Sequence, residues 1–174
     1  MPAGGLLHAK DARYDGRMRQ FHLTRVLPLA LLATLCFAQD GADPWPKANL
    51  LEPAALAREL QSAKPPIVLG VAFPVLYRTK HILHAIDAGP GSKPEGIEAL
   101  KKAVEGLSKD ADLVIYCGCC PMEKCPNVRP PYRVLKEMGF TRVRVLRIPT
   151  NMQADWYSKD YPSEAGRAAL LPQK

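Results

Sequence analysis

Between residues 52 and 148 the apolar positions follow two alternating rhythms. Short runs rich in β-branched residues read as strands: 67–71 (Ile-Val-Leu-Gly-Val), 82–86, 112–116, and the alternating 142–148 (Arg-Val-Arg-Val-Leu-Arg-Ile). Stretches with helical spacing lie between them. Glu52-Pro53 opens one, because proline suits the first helical position, and Lys64-Pro-Pro66 breaks it. Ile97, Leu100, Ala103, Val104 and Leu107 form an apolar stripe over residues 94–107. A third helix is expected over 132–138, closed by Gly139 as its C-cap. Pro130 and Pro131 restrict the residues before them, so this helix is expected to begin only near Pro131. A short turn or helix is expected around Trp156. Helices alternating with short apolar strands predict an α/β domain with a mainly parallel sheet.

Residues 1–38 stand apart from that pattern. Arg19 and Arg25 flank a polar stretch, residues 26–35 are nearly all apolar, and Cys36-Phe-Ala38 offers small residues before Gln39. This order is that of a secretory signal, with Met18 suited to be the true start. The apolar run is too short to span a bilayer, so no membrane anchor is expected after cleavage. Export to the periplasm or the medium is the expectation. Residues 39–47 then read as a loose lead-in, 48–165 as one domain, and 166–174 as a polar tail. The chain has 174 residues and a net charge of +7; the signal holds five basic and two acidic residues, which leaves +4 on the rest. These charges are scattered, without a polybasic run or interleaved aromatics, which argues against nucleic-acid binding. A mildly basic, monomeric domain with a real core is expected, suited to small anionic substrates.

One loop concentrates the reactive chemistry. The strand at 112–116 ends at Cys117, and Cys119, Cys120 and Cys125 follow within nine residues. A strand fixes the first sulfur, and a helix N-terminus after the loop favours thiolate over thiol, so Cys117 is the candidate nucleophile. Lys124, Arg129 and Arg133 are near in sequence and are candidates to hold an anionic substrate. The remaining cysteines leave several readings open. Cys117 and Cys120 have the C-x-x-C spacing of a resolving or redox pair. Cys125 suits a disulfide that tethers the loop, because a Cys119–Cys120 bond would be strained. Cys117, Cys119, Cys120 and Cys125 are also a candidate thiolate set for Zn or Cu. Zinc sites usually use two separated pairs, however, and adjacent Cys119 and Cys120 do not readily face one ion. No cofactor is the leading expectation. His81 and His84 form an H-x-x-H pair that shares a face only on a helix, and a metal role for them is the lesser reading. A phosphatase loop of the form C-x(5)-R is excluded: the sixth positions after Cys117, Cys120 and Cys125 hold Glu123, Pro126 and Pro131.

Four segments in order resemble the rhodanese-like domain family. Leu113-Val-Ile-Tyr-Cys117 is similar to its strand and active-site cysteine, and Tyr77-Arg-Thr-Lys-His-Ile-Leu-His-Ala85 to its tyrosine, histidine-isoleucine and alanine segment. Leu135-Lys-Glu-Met-Gly-Phe-Thr-Arg-Val143 resembles the helix end and strand that follow the loop, and Trp156-Tyr-Ser-Lys-Asp-Tyr-Pro162 the C-terminal signature. Gly70-Val-Ala72 stands where the family usually has Asp-x-Arg, and the loop is longer by about four residues. The resemblance implies a five-stranded parallel sheet flanked by helices on both faces. It also implies sulfur transfer through a persulfide on Cys117, from a small sulfur donor to a thiol acceptor or cyanide.

Overall fold

The computed structural model describes residues 43–166; the signal reading of 1–38, the start of the lead-in and the tail from residue 167 lie outside the described residues. In chain order the elements are β1 (Leu50–Leu51), α1 (Pro53–Glu59), β2 (Ile67–Gly70), α2 (Pro74–Thr79), β3 (Lys80–Ile82), β4 (Ile86–Asp87), α3 (Pro94–Ala103), β5 (Leu113–Tyr116), α4 (Arg129–Glu137), β6 (Val143–Leu146), α5 (Met152–Asp155) and β7 (Ser163–Ala165). Five strands form one sheet in the order β1-β6-β5-β2-β4, and every pairing is parallel. The parallel sheet and its five strands agree with the sequence expectation.

Residue alternation along the strands divides the interior in two. Leu69, Leu113, Ile115 and Val145 point to the face covered by α3 and α4, with Leu100 and Leu135 wholly buried there. Val68, Val114, Tyr116 and Leu146 point to the other face and meet Leu56 and Ala57 of α1 and Trp156. Both faces are covered, as a parallel sheet requires. Each buried leucine or isoleucine stabilises the fold by roughly 1.5–3 kcal/mol relative to exposure.

Three elements depart from the expectation. The run at 82–86 is not one strand. Lys80–Ile82 pairs antiparallel with β7 in a separate two-stranded sheet, the chain turns at His84 with φ 59°, and Ile86–Asp87 then joins the main sheet. Residues 74–79, whose polar end gave no periodic signal, form α2 behind Pro74 at its first turn. α4 begins at Arg129 rather than near Pro131. The first helical residues have no intrahelical partner for their N–H groups, so Pro130 and Pro131 sacrifice no bond there. Tyr132 N–H donates to the Val128 carbonyl at 3.2 Å and starts the ladder. At the other end Gly139 adopts φ 89°, the left-handed C-cap that the sequence predicts. Trp45, in the lead-in, is buried against Tyr132 with ring centroids 5.5 Å apart. Among the described residues no helix is long and apolar enough to cross a membrane.

Candidate active site

β5 lies in the middle of the sheet and delivers Cys117 to its carboxyl end, where open α/β sheets place ligands. Alternation turns the Cys117 side chain to the α3–α4 face, in the cluster of Ile115 and Val71. The loop that follows is pinned at several points. Met122 N–H donates to the Ile148 carbonyl at 2.8 Å, and Met122, Cys125 and Val128 are buried. Arg129 reaches back along the loop. Its guanidinium donates to the carbonyls of Cys125 and Glu123, both at 3.0 Å, and pairs with Asp43 at 2.6 Å over the Trp45 ring.

Asn127 is wholly buried and braces the sulfurs from beneath. Its Oδ1 accepts from Ser92 N–H at 3.0 Å, and its Nδ2 donates to Cys117 Sγ at 3.7 Å and Cys119 Sγ at 3.8 Å. The turn after β4 packs directly under it. A side chain at Gly91 would collide with the Asn127 carbonyl and the Pro131 ring, so only glycine permits this approach.

The four cysteines of this loop are free thiols. Cys117 Sγ lies 3.2 Å from Cys119 Sγ; Cys119 Sγ lies 3.2 Å from Cys120 Sγ and 3.9 Å from Cys125 Sγ. The sulfurs of Cys117, Cys119 and Cys125 all fall within 4.8 Å of one another. Cys117 is 4% exposed and Cys125 0%, whereas Cys119 is exposed, so solvent meets the cluster at Cys119. Cys117 Sγ is thus in direct contact with Cys119 Sγ, and Cys120 meets the cluster through Cys119.

This arrangement concentrates one negative charge on Cys117. Its pKa falls to about 6, chiefly because the Cys125 thiol faces it; burial opposes the fall, and the backbone N–H and thiol of Cys119 and the Asn127 amide add to it. The neighbours respond in the opposite sense. Cys119 is pushed up to about 12, first by burial and then by its bond to Cys117. Cys125 is raised by donating to Cys117 and by burial. The opposite directions of these shifts favour placing a single negative charge on Cys117, with Cys119 and Cys125 as donors to it. Pro130 and Pro131, in the first turn of α4, carry no N–H.

The basic candidates separate into two kinds. Arg129 is committed to holding the loop. Lys124 and Arg133 are exposed at the surface. His81 is buried and stacked on Tyr77 with centroids 3.8 Å apart, its ring bonded to the Tyr77 carbonyl at 2.8 Å and Glu164 at 3.2 Å, while His84 anchors its backbone N–H on Glu164. This pair braces the small second sheet and does not converge on the thiols. Where Asp-x-Arg is usual, Val71 is buried, donating its N–H to Tyr116 and accepting from Gly91. Sequence reasoning missed Asn127. It stands one residue before the N-cap of α4, which is Val128, and its side chain turns inward to Ser92 and the sulfurs.

No family model matches the chain, and no curated protein matches it. Solved structures do. The solution structure of the rhodanese-like domain of the Alr3790 protein from Anabaena sp. superposes with a TM-score of 0.51 at 20% identity, over 72% of this chain and 86% of that one. A crystal structure of the same Anabaena protein gives 0.50 at 22% identity, over 67% and 92%. The fold is that of a rhodanese-like domain. A more remote likeness is the polysulfide-sulfur transferase homodimer of Wolinella succinogenes, with a TM-score of 0.47 at 16% identity over 71% and 83%. Within this fold the cysteine cluster occupies the connection between β5 and α4, at the carboxyl end of the central strands.

Proposed function

We propose that the protein is a sulfurtransferase that carries sulfane sulfur as a persulfide on Cys117. The Cys117 thiolate attacks the outer sulfur of a small donor such as thiosulfate. The sulfur–sulfur bond of the donor breaks, sulfite leaves with the electron pair, and Cys117 keeps the sulfur as a persulfide anion. An acceptor thiolate or cyanide then attacks the outer persulfide sulfur, takes it as a persulfide or thiocyanate, and returns Cys117 to the thiolate. Charge and atoms balance in both steps, and no external oxidant is needed.

The observation that carries this reading is a buried sulfur at the end of the central strand, with two thiols and a buried amide arranged around it. Such donors stabilise an anion on the inner sulfur when the persulfide leaves or arrives. Exposed Lys124 and Arg133 are offered to an anionic donor, and Cys119 marks the side from which it approaches. We further read the order of charge and apolar residues in 1–38 as export. The test is sulfur transfer from thiosulfate to cyanide by the reduced full-length chain. Cys117→Ser is expected to abolish turnover; full activity in that variant removes Cys117 from the role.

A second reading is favoured by the contact of 3.2 Å between Cys117 and Cys119. In exchange with a partner disulfide, Cys117 attacks and Cys119 resolves the mixed disulfide, leaving an internal bond and a reduced partner. A partner disulfide that is reduced by wild type but not by Cys119→Ser would favour this reading over transfer.

A further inference from the structure

We propose that Cys117, Cys119 and Cys125 together form a three-thiolate binding site for a soft monovalent cation, Cu(I). Metal–thiolate bonds of about 2.3 Å place sulfurs roughly 4 Å apart in a trigonal array. The three sulfurs already lie within 4.8 Å of one another, with Cys119 at 3.2 and 3.9 Å from the other two. Two of them are held by buried positions, and the one that must move outward to open the triangle, Cys119, is the exposed one. The ion therefore has both a formed base and an entry.

The donor set selects the ion. Structural zinc sites are closed by four protein ligands. Here three thiols converge; Cys120 touches Cys119 but stands outside the group, and the two described histidines are engaged with the second sheet. Three soft sulfurs without a carboxylate or imidazole favour Cu(I) over Zn²⁺. Binding displaces the protons of Cys119 and Cys125 and transfers no electron. The site then carries a net charge of about −2 by simple ligand count, and the Asn127 amide, bonded to two of the sulfurs, acts on it as an outer-sphere donor. An ion on Cys117 leaves no thiolate free to accept sulfur, so the two uses exclude one another in a single molecule. The binding stands or falls independently of sulfur transfer, because it is read without a transfer assay.

The test is anaerobic titration of the reduced full-length chain with Cu(I) buffered by bicinchoninate, with X-ray absorption on the loaded protein. One Cu(I) per chain, with three sulfur neighbours, is expected. Cys119→Ser, an exposed position, should lower affinity at least tenfold, while Cys120→Ser should leave it unchanged. Circular dichroism of each variant checks that the fold persists, and Cys119→Ser carries the test if the buried Cys125→Ser variant does not fold. Failure to take Cu(I) from bicinchoninate overturns the site. So does an equal loss in Cys120→Ser, or Zn²⁺ held more tightly than Cu(I) in a four-sulfur shell.

Discussion

Replacing Asn127 by alanine isolates the contribution of one buried amide to the charge on Cys117. The side chain makes three bonds: it accepts from Ser92 N–H at 3.0 Å and donates to two sulfurs at 3.7 and 3.8 Å. Loss of the Ser92 bond costs about 1 kcal/mol, and loss of a donor to a charged sulfur about 1.5 kcal/mol at the low end of the charged range, since these N–H···S distances are long. A small cavity adds to that. The expected destabilisation is therefore about 2–3 kcal/mol. The effect on Cys117 is separable from stability. The Asn127 amide is the smallest of the causes that hold this thiol down to about 6, so its removal should raise the pKa, by less than removal of the Cys125 thiol does. The assay is the pH dependence of iodoacetamide labelling at Cys117, read by peptide mass spectrometry, beside a denaturant melt. The thiolate fraction rises as pH rises through the pKa, so the labelling curve of the variant shifts toward alkaline pH. Asn127→Asp, which replaces a donor with a negative charge, should shift it further. An Asn127→Ala curve that overlays wild type would show that the amide does not act on the sulfur.

Cys125→Ala should raise the Cys117 labelling midpoint more than Asn127→Ala does, because the Cys125 thiol is the largest cause of the low value; a smaller shift reverses that ranking. Arg129→Ala should lower stability by about 1–3 kcal/mol through the unpaired Cys125 and Glu123 carbonyls, and a thermal melt reads it. If instead the melt is unchanged and KM for thiosulfate rises, Arg129 holds substrate. Gly118→Ala should destabilise by about 1–3 kcal/mol by driving its methyl into Met152, and the double variant with Met152→Ala should recover part of the loss. Gly91→Ala meets backbone at Asn127 and should find no such rescue.

The fold was legible where periodicity is strong. β2, β5 and β6 carry β-branched runs, and the α3 stripe and the Gly139 cap follow directly from residue spacing. It was obscure where tertiary pairing decides. β1 is two residues long and exists because Leu50 and Leu51 meet Val145 and Leu146. Residues 80–87 are divided between two sheets by a turn at His84 that nothing in the apolar pattern announces. Start signals for α4 were misread because a proline rule for helix interiors does not bind in the first turn. At the site, the cysteines and their strand were visible in the sequence. Which sulfurs meet was not, since that depends on how the loop folds back: Met122 on Ile148, Arg129 on two carbonyls, and Asn127 turned inward.

Mass spectrometry of the full-length chain after brief exposure to thiosulfate addresses the central claim most directly. The account predicts a single added sulfur on Cys117, located by peptide sequencing, released as thiocyanate by cyanide and absent from Cys117→Ser. Sulfur found on Cys119, Cys120 or Cys125 with Cys117 unmodified, or no adduct on any cysteine, would contradict it.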